Sequence, residues 1–406
     1  MPLVVYVLGL SIFAQGTSEF MLSGLLPQIA GDLGVSIPDA GLLVSAFAVG
    51  MVVGAPLLAV LTLRWPRRTA LLAFLVVFAA DQVAGALAPG YGALFATRVV
   101  GALAYAGFWA VAAATAVELV PSDSRARALA VVVGGLAVAN VVGVPAGALL
   151  GQHAGWRAAF WAVAVLCVLA TIGLLFTLRS ATGRTEQPRA IAGELRALGR
   201  PRIWVAYGTT ALTQGALFCT FSYLAALLTR AGGLAEGWVP AVLTLFGVGA
   251  VIGLTVGGRF ADSRPTATLT AGLAAMVAVC VTLAFTAHQA VVTVVVTAAL
   301  GLVGFAVNPA LNARVFSLAA EAPTLAGAVS TAAFNVGNTV GPWLGGVAIG
   351  AGWGYPSVAV VSAVLGAGAL ATAAVSVTLD RRAGAGRTSR TVAGSVPERR
   401  PETAAR

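Results

Sequence analysis

Lysine is absent from the 406-residue chain, all 24 basic residues are arginine, and charged side chains make up only 9% of the sequence. Against 59% hydrophobic residues and a mean hydropathy of +0.94, this shortage excludes water as the solvent for most of the chain. Histidine occurs twice and cysteine three times, without a C-x-x-C spacing, so neither a metal site nor a disulfide framework is expected. Cys167, Cys219 and Cys280 each sit midway along an apolar run and read as buried spectator thiols. There is no G-x-x-x-x-G-K-[ST] loop for a nucleotide-driven pump, and Gly247-x-Gly249-x-x-x-Gly253 has the wrong spacing for a dinucleotide loop. No aspartate-rich diphosphate site or nucleophile–base pair occurs either, so no cofactor is expected and an enzyme or sensor is a remote alternative. The net charge is +10, yet the arginines lie in short clusters between apolar runs with no aromatic-basic platform, which argues against nucleic acid as a partner.

What is present is a series of apolar runs of membrane-spanning length, separated by short polar or Gly/Pro breaks. The spans read as 3–26, 37–61, 69–88, 92–119, 127–151 and 156–178, then 203–229, 237–261, 267–287, 290–319, 325–350 and 353–379. The first run lacks a basic leader and is too long for a signal segment, so it is expected to remain as a span. The expected fold is an all-α membrane protein of twelve helices, with a six-helix unit over 1–178, an Arg-rich linker over 179–202, a second six-helix unit over 203–380 and a disordered tail over 381–406. Arg64, Arg67, Arg68, Arg125, Arg127, the linker and the tail all fall on one side, which the positive-inside rule makes cytoplasmic together with both termini.

The two units are related. A shift of 199 positions carries Gln15-Gly16 onto Gln214-Gly215, Val49-Gly50 onto Val248-Gly249 and Gly54 onto Gly253. A direct repeat of six helices gives two bundles around a pseudo-two-fold axis along the membrane normal, with the substrate path between them.

Ionisable residues inside the spans are costly and mark candidate function. Glu19 lies about seven residues, roughly 10 Å, from the outer end of the first helix, at 1.5 Å per residue. Asp81 in the third helix and Arg98 in the fourth fall at a similar depth. Arginine stays charged, so Arg98 is the fixed positive pole and the two carboxylates are the groups able to exchange protons. Burial favours a neutral acid and a nearby guanidinium favours the ion, so moving the two apart or together loads or releases a proton. The alternative is a static Glu19–Arg98 or Asp81–Arg98 pair that merely tolerates burial.

In the fifth helix, Gly143, Gly147 and Gly151 recur every four residues, which suits close helix approach, and Pro145 bends the helix. The second half has Arg314 as its one mid-membrane charge; its polar points are Gln214, Asn308, Asn312, Asn335 and Asn338, with Phe218, Phe221 and Tyr223 near them in sequence. Amides and aromatic faces suit an uncharged, amphipathic ligand. Each amide also serves as interhelical glue in the plainer reading.

The stretches FAQGTSEFMLSGLLPQIAGDLGVS, TRVVGALAYAGFWAVA and NVVGVPAGALLGQHAGWRAAFWA resemble helices one, four and five of the major facilitator superfamily, in its twelve-helix drug:H+ antiporter branch. With SAFAVGMVVGAP at 45–56, the chain is most similar to the chloramphenicol exporters of actinobacteria. The resemblance covers all twelve helices but neither the linker nor the tail. It implies proton-coupled efflux of a small drug, most simply a phenicol, by a monomer in the inner membrane. An exporter of sugars or amino-acid-like metabolites is the alternative. It further implies Glu19, Arg98 and Asp81 as the proton-coupling set, with Gly143, Pro145 and Gly147 as a hinge and seal. Gln15, Gln214, Phe218, Asn308 and Asn335 are expected to line the cavity. The family's loop between helices two and three normally carries a Gly and an Asp that help latch the bundles; here those places are Ala59 and Leu63, beside Arg64, Arg67 and Arg68. The second half keeps Gly258 and Asp262, so the latch is either weakened or moved to Asp262, and in the plainer reading Arg64, Arg67 and Arg68 only anchor the topology.

Overall fold

The computed structural model describes residues 1–61, 65–121, 124–178, 201–319 and 323–393. Arg64, nearly all of the expected linker and residues 394–406 lie outside them.

The described residues form helices in the expected order. α1 is Leu3–Phe20, continuing after a break at Met21 as Leu22–Leu33; α2 is Ile37–Leu61; α3 is Arg67–Ala86; α4 is Tyr91–Glu118. α5 runs Arg125–Val138, passes through a π-helical turn at Ala139–Gly143 and ends as Val144–Ala154; α6 is Trp156–Thr177. In the second half, α7 is Pro201–Ser222 followed by Leu224–Ala226 and a π turn at Leu227–Ala231. α8 is Val239–Ser263, α9 Pro265–Thr286 and α10 Ala290–Ala306 with Asn308–Leu318. α11 is Pro323–Ala348, closed by a π turn at Ile349–Trp353, and α12 is Ser357–Ala393.

Ten described helices are long and apolar enough to cross a bilayer, and an eleventh if the two parts of α7, bent by 46°, count as one span. α11 supplies the twelfth: its 26 residues reach across, although Asn, Thr and Gly make it more polar. Three boundaries differ from the expected spans. α1 continues to Leu33, past the polar Gln28 and Asp32, and stops at Gly34, whose φ of 65° only glycine adopts without strain. α5 gains a π turn just before Pro145, because proline cannot donate the backbone bond that would keep the α-helical register. α12 is helical through Ala393, into the stretch expected to be disordered.

The repeat is visible in the packing. Gly50 lies against the Val99 carbonyl and Gly54 against Leu103, joining α2 to α4; 199 positions on, Gly249 lies against the Ala298 carbonyl and Gly253 against Leu302, joining α8 to α10. With hydrocarbon outside as well as inside, close backbone approach through small residues is what holds such helices together.

The halves meet most closely at the end of the molecule that carries Asp32, Arg157 and Glu236. There the Ser45 hydroxyl of α2 donates to the Thr339 carbonyl of α11 at 2.9 Å, and the Gln152 amide of α5 donates to the Glu236 carbonyl at 2.6 Å. Tyr223, at the break in α7, is fully buried: its hydroxyl donates to the Pro342 carbonyl at 2.9 Å and sits where a side chain on Gly41 of α2 would stand. Each core borrows from the other half. Cys219 and Tyr223 pack with the first, and Phe20, Val144 and Ala148 with the second.

Candidate functional site

The three mid-membrane ionisable residues are brought together, but not as ion pairs. Arg98, 1% exposed, donates from Nη1 to the Ser18 hydroxyl at 3.0 Å, and Ser18 donates onward to Gln82 Oε1 at 3.1 Å. Its guanidinium carbon stands 4.3 Å from the centroid of the Phe47 ring, a cation–π contact. Its Nε and Nη2 are buried without a hydrogen-bond partner among the described residues. Asp81 is buried with its carboxylate against Gly101, one turn along α4 from Arg98, and Glu19 follows Ser18 on α1. Both carboxylates act electrostatically on Arg98, Asp81 more strongly, yet neither lies within 4.0 Å to form a salt bridge with it. Ser18, Gln82 and Phe47 were not singled out by the sequence. Small polar residues and one phenylalanine in apolar helices carry no signal until a charge is seen beside them.

Glu19 faces a small pocket between the halves, lined also by Phe20, Val44, Phe47, Ala48, Phe218 and Asn338. Its volume is about 10 Å³, room for at most one water. Of the expected cavity residues, Phe218 lines it. Phe218 is also part of an aromatic row that crosses from α1 into the second half: Phe20 to Phe218 at 5.5 Å, Phe218 to Phe221 at 5.6 Å and Phe221 to Phe246 at 4.6 Å between centroids. Asn338, noted in the sequence as a polar point only, joins the pocket while Asn335 does not. Gln15 is fully buried and donates to the Ser11 carbonyl of its own helix at 3.2 Å, so it braces α1. Asn335 likewise donates to Thr331 at 3.0 Å. Gln214 and Asn308 are brought together, the amide of one donating to the carbonyl of the other at 2.8 Å.

The α5 stripe packs as its spacing implied. Gly143 lies against Thr17, Gly147 against Met21 with 3.0 Å to where its Cβ would be, and Gly151 against Leu25, all on α1. Pro145 is buried just after the π turn. Gly247 of α8 approaches the backbone of Asn140 and Val141 within that turn, so α1, α5 and α8 meet along one seam.

The expected latch residues lie apart in this conformation. Gly258 faces open space, and Asp262 is exposed with no ion pair among the described residues. Arg64 lies outside the described residues. Arg67 instead pairs with Glu118, tying the start of α3 to the end of α4, and Arg68 donates to the Leu175 carbonyl at 3.1 Å. Both of these contacts lie within the first half.

At the opposite end, Asp32 pairs with Arg157 and accepts from Trp156 Nε1 at 3.0 Å. These bonds hold its carboxyl below the usual aspartate range. Beside it opens a cavity of about 430 Å³, lined by Gln28, Gln152, Trp156 and Glu236 among others.

The fold and its relatives agree. In solved structures, a bacterial homologue of the human lysosomal transporter Spinster aligns over 92% of this chain and 94% of its own, with TM-score 0.69 at 19% identity in its inward-facing, unoccupied form. The occupied form gives 0.73 at 17% identity. Among curated proteins, the chloramphenicol resistance protein of Streptomyces lividans is 46% identical over 353 residues, 86% of this chain and 90% of that protein. The inner membrane transport protein YdhP of Escherichia coli K12 is 38% identical over 364 residues, 90% and 92% of the two chains. The description of the Major Facilitator Superfamily matches residues 8–334, and with twelve helices in a six-plus-six repeat the chain is a multi-pass membrane transporter that belongs to that superfamily.

Proposed function

We propose that the protein exports a small, largely apolar antibiotic, most simply chloramphenicol or a related phenicol, in exchange for protons. The observation that carries this reading is the pocket between the halves, where one carboxylate, Glu19, shares a wall with Phe20, Phe47, Phe218 and Asn338. Aromatic faces and an amide suit an uncharged amphipathic drug, and an acid that is not ion-paired is free to take and release a proton. The 46% identity to a chloramphenicol resistance protein points to the same substrate class. In this scheme Glu19 carries the proton against drug and Arg98 sets the field in which it does so. Asp81 balances Arg98 from the other side, and the α1–α5–α8 seam keeps the exchange free of leak.

A pocket of about 10 Å³ holds no drug, so the halves must part to admit one. Alternating access supplies that motion, and the contacts of Tyr223, Ser45 and Gln152 are those to be broken at the Asp32 end. With the arginine-rich side and both termini in the cytoplasm, this end faces outward. The test is uptake of labelled chloramphenicol into everted membrane vesicles, with and without a protonophore. Uptake that the protonophore collapses, and that Glu19→Gln lacks while still inserting in the membrane, is the expected result. Uptake equal to that of vesicles without the protein would remove the substrate, and full uptake by Glu19→Gln would remove the coupling role.

A further inference from the structure

The arginine at the centre of the site is held by neutral groups on three helices, although two acids stand near it. Arg98 of α4 donates to the Ser18 hydroxyl of α1, that hydroxyl is oriented by Gln82 Oε1 of α3, and Phe47 of α2 covers the guanidinium at 4.3 Å. Ser18 has one proton, and it is spent on Gln82, which leaves the hydroxyl lone pairs turned toward Arg98. We propose that Ser18 and Gln82, with Phe47, form a cradle that keeps Arg98 from pairing with Glu19, so that the carboxyl in the pocket stays available for a proton. These are positioning residues, acting through Arg98.

Several features support the assignment. Ser18 and Glu19 are sequence neighbours on α1, so the cradle and the acid move together when that helix shifts. Two further nitrogens of Arg98, Nε and Nη2, have no hydrogen-bond partner among the described residues. A guanidinium with donors to spare would close on one of its two neighbouring acids, Glu19 or Asp81, if its tether were removed, because charge-assisted bidentate pairing is its strongest contact. The titratable groups around Glu19 are few: Arg98 and Tyr105 from α4 and Asp81 from α3, with Val44, Phe47, Ala48, Phe218 and Asn338 completing the pocket wall.

The inference rests on Glu19 being the proton carrier, and its test does not require the drug to be known. A hydrophobic carbodiimide modifies buried carboxyls that hold a proton and are not locked in an ion pair. Purified full-length protein in detergent would be treated at constant pH, and modification at Glu19 read by peptide mass spectrometry. Wild type should be modified. Ser18→Ala and Gln82→Leu should each lower modification at Glu19 by roughly tenfold, the bias an adjacent guanidinium gives a carboxyl. Ser18→Thr, which restores the hydroxyl, should return it toward wild type. Thermal unfolding of each variant identifies any that fail to fold, and Gln82→Glu then serves as a second probe, since a carboxylate there should hold Arg98 more firmly and leave Glu19 modified. Unchanged modification of Glu19 in folded Ser18→Ala and Gln82→Leu overturns the cradle. Loss of chloramphenicol transport with the labelling pattern intact would overturn the substrate alone.

Discussion

At equivalent places in the repeat the two halves carry a glutamine, and the two glutamines do different things. Gln15 turns back to its own helix, whereas Gln214 reaches across to Asn308 on α10. The contrast runs through both halves. Their glycine contacts between α2 and α4 and between α8 and α10 coincide after a 199-residue shift, so the scaffold is shared. Into it the first half places Glu19, Asp81 and Arg98, and the second places, beside Arg314, which donates to the Ser376 hydroxyl, amides and hydroxyls such as the Thr220–Ser362 bond at 2.7 Å and the Thr209–Thr372 bond at 2.9 Å. A buried charge demands a partner or a proton, while a buried amide demands only a hydrogen bond. In the proposed scheme the first half therefore answers to protons and the second holds the ligand.

The sharpest way to break this division is to neutralise one residue in each half and read two quantities. If Glu19 is the proton carrier as proposed, Glu19→Gln should lower proton-driven efflux by at least roughly 100-fold, since the coupled step and not merely affinity is then lost. Asn338→Ala, on the opposite wall of the same pocket, should raise the apparent KM several-fold, about 1 kcal/mol for one lost hydrogen bond, and leave the dependence on the proton gradient intact. A loss of proton dependence in Asn338→Ala would show that both halves share the task.

The next effect concerns the contact between the halves. The Tyr223 hydroxyl occupies the place that a side chain at Gly41 would take. Gly41→Ala should therefore keep Tyr223 from seating, and a membrane-impermeant thiol reagent should reach Ser45→Cys in that background several times faster than with Gly41 intact. Equal rates would mean that the tyrosine does not close this end.

A smaller effect tests the shared scaffold. Gly253 faces backbone, the Leu302 carbonyl and Cα, whereas Gly54 meets Ala106 Cβ and Leu103 Cδ2 at 3.1 Å and Leu103 Cα at 3.2 Å. Gly253→Ala should cost about 1–3 kcal/mol of stability and Gly54→Ala less, because side chains yield where a carbonyl does not. Thermal unfolding of the two variants decides it; equal losses would mean that the two helix pairs are equally rigid.

How much of this was legible in advance follows the range of each interaction. Helix order and the repeat come from runs of twenty or more apolar residues and a constant offset, so no single boundary decides them. Glu19, Asp81 and Arg98 stand out because charge is so scarce, and Gly143, Gly147 and Gly151 because their spacing is helical. The cradle was not legible: Ser18 and Gln82 lie 64 positions apart and look like any polar residue in a span. Nor were the surroundings of Asp262, since whether it finds a partner depends on how two helix ends are placed, which no local pattern encodes. Tyr223 was noted for its ring, and only the break in α7 shows which way that ring turns.

The smallest effect separates the acids inside the site from Asp32 at one end of the molecule. Asp32 pairs with Arg157 in the open, and that bond together with Trp156 holds its carboxyl below the ordinary aspartate value of about 3.9. A group depressed in the folded state contributes stability that is fully present above its unfolded value and is lost as pH falls through the folded one. Between pH 7 and pH 5 this pair therefore stays intact. Being exposed, the pair contributes little, and Asp32→Asn should shift the midpoint of thermal unfolding by no more than about 2 °C. The same measurement at pH 7 and pH 5 should give the same difference between wild type and variant. A difference that vanished at pH 5 would mean that Asp32 had already taken a proton, and that its bonds to Arg157 and Trp156 do not hold it ionised.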